Sequence, residues 1–208
     1  MLKNSVVIIA KGPSVLRSTR EWTEQFERRA IINHVPFDGF EDKIGNKADY
    51  WFKNWQARWY EPEYLDQIGI KCVINTSSRY AHANGKTFRD LFPPHIETDF
   101  MHFKQIFKEK YDLEPPSGLM AIEYFIRKGF KNIGFVGIDL YEIGKPRYYV
   151  DTQEFGLDPI QNEPSGHDSN KSLNYINSII KTNPDITFHI ISDANISQRN
   201  NVILVNND

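Results

Sequence analysis

The residues best suited to chemistry lie between Ile133 and His167. The apolar run Ile133-Gly-Phe-Val-Gly-Ile138 ends on Asp139; Tyr141, Tyr148, Tyr149 and Asp151 follow, and His167 stands just before a predicted helix. A histidine at a helix amino terminus is held neutral, because the helix dipole disfavours an imidazolium there, and a neutral imidazole can accept a proton. Tyr141 and Tyr148 can each donate an O–H to a phosphate oxygen without carrying charge. Asp139 can bind a hydroxyl or fix a loop backbone. Together these groups fit transfer from a phosphate-linked donor, in which a base deprotonates the incoming hydroxyl and phenols stabilise the departing phosphate. The plainer alternative is that His167 caps a helix and the tyrosines of Arg147-Tyr-Tyr-Val150 pack.

Such groups must be positioned by elements. Val6–Ala10, Ala30–Asn33, Ala48–Asn54, Lys71–Thr76, Ile133–Ile138, Ile186–Ile191 and Val202–Val205 read as short strands. Continuous β-branched and aromatic runs of this kind mark strands covered on both faces. Helical stretches are expected at Val15–Arg29, Glu61–Gln67 (closed by Gly69), Gly118–Lys128 (capped by Ser117, closed by Gly129), and from Asp168 or Ser169 onward. Ser77–Phe100 has no clear period, and Gly144–Gly166 is rich in Pro, Gly, Asp, Asn and Gln. A loop that long within a compact domain is usually functional, and about 142–166 reads as an active-site lid. Alternating strands and helices imply a Rossmann-like α/β fold: one domain over 1–208, a mostly parallel sheet, helices on both faces.

In such a sheet, strand carboxyl ends form the ligand crevice. Lys11-Gly-Pro-Ser14 follows the first strand, with Gly12 for the turn, Pro13 or Ser14 opening a helix, and backbone N–H groups expected to point at an anion. Asn33 and Asn54 end two strands; either is a turn former or a reader of a nucleobase or ribose edge. Ser117-Gly118 opens a further helix and offers a second nucleotide site.

Composition bounds the rest. Of 208 residues, 40% are hydrophobic and 25% charged, which is ordinary for a soluble globular chain. A net charge of -2 offers no basic field for nucleic acid. The lone Cys72 lies in an apolar run and reads as a buried small hydrophobe. It excludes a disulfide framework and suits a reducing, cytoplasmic compartment. No stretch approaches the roughly 18 apolar residues of a membrane span, and the first residues do not read as a signal peptide. Neither GxxxxGK[ST] nor GxGxxG follows the first strand, no Asp-x-Asp pair offers a metal clamp, and no GxSxG elbow is present. His82, His95 and His102 lack metal-ligand spacing, so no metal or resident cofactor is expected.

Taken in order, these pieces resemble the bacterial sialyltransferases of glycosyltransferase family 42. Ala10-Lys-Gly-Pro-Ser14 stands where that family has Gly-Asn-Gly-Pro-Ser. Asn33 and Asn54 match its strand-terminal asparagines. Ser117-Gly118, Gly137-Ile-Asp-Leu-Tyr141, Tyr148 before Asp151-Thr152, and Gly166-His167 match later motifs, over most of residues 5–180. The resemblance implies a GT-A-like, metal-independent, inverting transferase that moves a nonulosonic acid from a CMP-linked donor, such as CMP-sialic acid, to a glycan acceptor. It implies His167 as general base, Tyr141 and Tyr148 on the leaving phosphate, and Lys11, Gly12, Pro13, Ser14, Asn33, Asn54, Ser117, Gly118 and Asp139 around the donor. Lys11 departs from the family's Asn, and Glu114 and Pro116 depart from the Arg and Thr that usually precede Ser-Gly. One residue is inserted between Tyr141 and Tyr148, so Tyr149 is a rival for the second phenol. A non-catalytic nucleotide-sugar-binding module and a CMP-sugar hydrolase are the alternatives. A homo-oligomer could use Trp55 and Trp59 at a subunit contact.

Overall fold

Buried runs in this chain alternate between two cores, and that alternation places the sheet between them. Val6 to Ile9 are fully buried. Val6 and Ile8 face one core with Phe52, Leu119, Ile122 and Phe125; Val7 and Ile9 face the other with Trp22, Trp51, Leu65 and Phe88. A strand apolar on both faces is what a parallel sheet covered by helices requires. The computed structural model describes residues 1–54, 60–77, 87–101, 104–140, 148–149 and 168–205. The expected lid at about 142–166, and with it Tyr141, Asp151, Thr152 and His167, lies outside the described residues, as do Trp55, Trp59, His82 and His102.

Among the described residues, eight strands form one sheet: β1 (Leu2–Ile9), β2 (Phe26–Ile32), β3 (Tyr50–Lys53), β4 (Cys72–Asn75), β5 (Glu97–Phe100), β6 (Asn132–Val136), β7 (Thr187–Ile191) and β8 (Val202–Leu204). Their order is β5-β4-β3-β2-β1-β6-β7-β8, and every pairing is parallel. The expected α/β architecture, parallel sheet and edge position of the last strand are therefore met. The chain winds from β1 outward to β5, then returns to the other flank of β1 as β6. That reversal is the topological switch point, where a crevice opens beyond the strand ends.

The helices are α1 (Arg20–Thr23), α2 (Glu41–Ile44), α3 (Pro62–Ile68), α4 (Lys104–Tyr111), α5 (Ser117–Arg127) and α6 (Ser169–Thr182). α5 packs on β1, β2 and β3 through Leu119, Ile122 and Phe125. Gly129 follows it with φ of 84°, and Gly69 closes α3 with φ of 83°; both positions ask for glycine. Asp168 caps α6, accepting the Lys171 N–H at 2.8 Å. Cys72 is buried in β4, where desolvation pushes its thiol up to about 12. Among the described residues, no helix is long and apolar enough to cross a membrane.

Three expectations are corrected. Val15–Arg29 is not one helix: a 3-10 turn at Pro13–Arg17 and the short α1 lead directly into β2, which starts at Phe26. Ser117 does not cap α5; Pro116 holds that position and Ser117 is the first helical residue. The region read as aperiodic contains an edge strand, β5.

Candidate functional site at the switch point

Gly12 and Asp139 meet at the carboxyl ends of β1 and β6. The Gly12 N–H donates to Gly137 O at 2.8 Å. A Cβ on Gly12 would lie 2.2 Å from Asp139 Oδ2 and 2.6 Å from Gly137 O, so only glycine fits. Asp139 Oδ2 accepts the Ser14 N–H at 2.9 Å, and Oδ1 accepts the Asp193 N–H at 2.9 Å. Burial nevertheless pushes the Asp139 carboxyl above its ordinary value, because desolvation outweighs those donors. Ser14 is enclosed beneath: its hydroxyl donates to Ile191 O at 3.1 Å and accepts the Gly137 N–H at 2.9 Å. Asp139 and Ser14 thus pin the ends of β1, β6 and β7 together. The turn's amide at Ser14 is spent on Asp139 rather than directed at an outside anion, which corrects that expectation. Ser14 is not a helix cap either; it lies inside the Pro13–Arg17 turn, with Gly12 at the cap position.

Asn33 and Asn54 come together on neighbouring strands. Asn33 has φ of 56°, left-handed backbone that asparagine tolerates better than most residues. Its Oδ1 accepts the Asn54 N–H at 3.0 Å, and its carbonyl accepts the Trp51 Nε1–H at 2.6 Å. Beneath them lies Lys53, a residue that the sequence reading passed over. It is fully buried, and its ammonium donates to Asn54 O at 2.7 Å. Desolvation pulls it down to about 8. The available signal was a lysine directly after Trp51-Phe52 in an otherwise apolar strand.

Ser117 and Gly118 reach the same rim from α5. Ser117 Oγ lies 3.4 Å from Thr76 Oγ1 at the end of β4. Gly118 packs against Ile138, where a Cβ would lie 3.1 Å from its Cδ1. α6 also starts here, since Ser169 Oγ donates to Leu140 O.

Lys11 carries the remaining described groups. Its Nζ stands 4.2 Å from the centroid of the Tyr148 ring, and burial pulls it down to about 8. Its carbonyl accepts the Tyr149 N–H at 3.0 Å. Tyr149 turns away from the crevice: its O–H donates to Pro36 O at 2.7 Å and its ring packs edge-on against Phe40 at 4.6 Å. Burial pushes that phenol well above its ordinary value. Of the two rival phenols, Tyr149 belongs to the core and Tyr148 to the rim beside Lys11. Pro13 is half-buried on the turn between Gly12 and Ser14. Among the described residues, no group of three His, Cys, Asp or Glu side chains is placed to hold a metal.

No protein-family model matches the chain, and no curated protein matches its sequence. Solved structures do match. The sialyltransferase CstII from Campylobacter jejuni, in complex with the substrate analogue CMP-3FNeuAc, aligns at a TM-score of 0.63 and 19% identity, over 90% of this chain and 81% of that one. The monofunctional alpha-2,3-sialyltransferase Cst-I from Campylobacter jejuni aligns at 0.60 and 16% identity, over 93% and 78%. A mammalian sialyltransferase in complex with Gal-beta-1-3GalNAc-ortho-nitrophenol aligns at 0.56 and 13% identity, over 88% and 68%. The chain therefore has the fold of these sialyltransferases.

Proposed function

We propose that this chain is a glycosyltransferase that moves a nonulosonic acid of the sialic acid type from a CMP-linked donor to a glycan hydroxyl. One observation carries the reading. Lys11–Ser14, Asn33, Asn54, Ser117, Gly118 and Asp139, scattered through the sequence, converge at the switch-point rim of a sheet with a sialyltransferase fold. The neighbouring structure's CMP-3FNeuAc supports the choice of donor class.

On this reading Asn33 and Asn54 face the nucleoside, and Ser117 and Gly118 at the start of α5 face the donor's sugar and phosphate. Asp139 fixes the floor: it holds the first turn against β6 rather than touching the reacting atoms. Tyr141 and Tyr148 donate to the phosphate as it leaves. His167 takes the proton from the acceptor hydroxyl, which attacks the anomeric carbon from the face opposite the phosphate and inverts it. Charge on the phosphate is met by side chains, with no metal ion required.

Calorimetric titration with CMP, UMP, AMP and UDP tests the donor class, and product analysis with CMP-sialic acid and glycan acceptors tests the transfer. The expected results are selective CMP binding, a glycosidic product, and loss of transfer in His167→Ala with CMP binding kept. Free sugar as the sole product would make the chain a hydrolase. CMP binding without turnover would make it a binding module, and absence of nucleotide binding would overturn the reading.

A further inference from the structure

A second hollow lies at the other end of α5. The switch-point crevice takes in Ser117 and Gly118 at the start of this helix. Lys128 stands 11 residues further on, a rise of roughly 16 Å. There Tyr124 and Lys128 overhang the first residues of β3, β4 and β5. Tyr50, Cys72 and Glu97 form one row across those strands, so their side chains share the face that α5 covers. The hollow measures about 300 Å³, at the small end of the range for ligand sites.

Its walls are aromatic and its polar groups are of both signs. Tyr50, Tyr124 and Phe130 supply ring surface. The Tyr50 ring is fixed edge-on against Phe125 at 5.2 Å. Asp99 is already engaged: its Oδ2 accepts the Tyr124 O–H at 2.8 Å and lies 3.1 Å from Lys128 Nζ. Among the described residues, neither the Tyr50 hydroxyl nor the Glu97 carboxylate makes a hydrogen bond. Burial pushes the Tyr50 phenol above its ordinary value, so it stays a neutral donor.

This mixture selects against simple ions. An anion drawn to Lys128 would meet Asp99 and Glu97, and a cation drawn to the carboxylates would meet Lys128. A neutral molecule with several hydroxyls meets no such conflict. Each hydroxyl both donates and accepts, so it can donate to Glu97 and accept from Tyr50 or Lys128. An apolar C–H face can lie on the rings. A pyranose ring combines these two properties.

We propose that this hollow binds a neutral hexopyranose, free or as one unit of a glycan, at a site separate from the switch-point crevice. Glu97 and Tyr50 supply the polar contacts, and Tyr124 and Phe130 the apolar ones. The inference goes beyond the donor reading above and does not depend on it.

Methyl β-galactoside, methyl β-glucoside and lactose are titrated into the intact chain, with glycine and inorganic phosphate as charged controls, and amide NMR shifts locate the binding. At least one sugar is expected to bind, with shifts at Thr98, Asp99 and Phe130. Glu97→Ala trims an exposed side chain, and Tyr50→Phe keeps the ring that packs on Phe125. Each should weaken sugar binding at least about fivefold, with thermal unfolding and CMP binding unchanged. Binding of lactose alone would assign a glycan chain, and binding of the methyl glycosides a single ring; both uphold the site. No sugar binding, sugar binding that both variants keep, or glycine or phosphate shifting these same amides would overturn it. CMP titrated in the same samples reports on the crevice separately, so failure of the hexose site leaves the donor reading standing.

Discussion

A methyl group on Gly12 would lie 2.2 Å from Asp139 Oδ2, so the carboxyl ends of β1 and β6 are locked at a distance that only glycine permits. Gly12→Ala must push those ends apart, straining the Ser14 and Asp193 amide bonds to the same carboxylate. Overpacking at such a contact costs about 1–3 kcal/mol. Urea unfolding should therefore show a lower midpoint with an unchanged slope. A variant with the wild-type midpoint would mean that the two strand ends are free to separate.

Tyr148 and Tyr149 are adjacent in sequence and opposite in role. Removing the Tyr149 hydroxyl leaves the half-buried Pro36 carbonyl without its donor, so Tyr149→Phe should cost about 1–2 kcal/mol of stability and little turnover. Tyr148→Phe keeps the ring under Lys11, so stability should hold while kcat falls on the leaving-phosphate role proposed above. Thermal unfolding beside steady-state kinetics separates the two. Swapped phenotypes would exchange the assignments.

Lys53 makes stability depend on pH in an unusual direction. Its folded value, about 8, lies below its ordinary value of 10.5, so the unfolded chain binds this proton more tightly. The group therefore destabilises the native state below about pH 8, and that cost fades as pH rises toward 10.5. A displacement of this size corresponds to about 3 kcal/mol. Lys53→Met removes it but gives up the bond to Asn54 O, worth about 1 kcal/mol. The variant should be about 2 kcal/mol more stable than the wild type at pH 7, with the gain gone near pH 10.5. A gain that does not change with pH would place the ammonium in a solvated setting.

Where side chains alone dictated structure, the sequence was readable. Val6–Ile9, Ile133–Val136 and the α5 stripe of Leu119, Ile122 and Phe125 are apolar because they face cores, and their partners need not be known in advance. β2 was misread because its first residues answer to a distant partner. Arg28 and the Arg29 backbone are held by Asp49, at 3.1 and 3.0 Å, so a polar stretch that looks helical becomes strand. β5 has no buried run; it is a strand because β4 offers an edge, and Asp99 is held by Tyr124 of α5 and by Lys128 at the end of that helix. The strand-end residues Gly12, Asn33, Asn54 and Asp139 could be placed at one rim from topology alone. Their hydrogen bonds could not. That the Ser14 amide serves Asp139, that Tyr149 belongs to Pro36, and that a lysine is sealed under Asn54 are facts of packing between segments far apart in the chain.

The central position of β1 also decides when the crevice comes into being. One flank of β1 is closed early by β2, but the other waits for Asn132–Val136. Pairings that far apart in sequence form late, after long loops have closed. Until then β1, with its buried run Val6–Ile9, offers an unpaired edge, the kind of surface on which chains aggregate. Asp139 arrives only with β6, so the crevice and the protection of that edge appear together. A ligand that binds at the switch point would register finished molecules only.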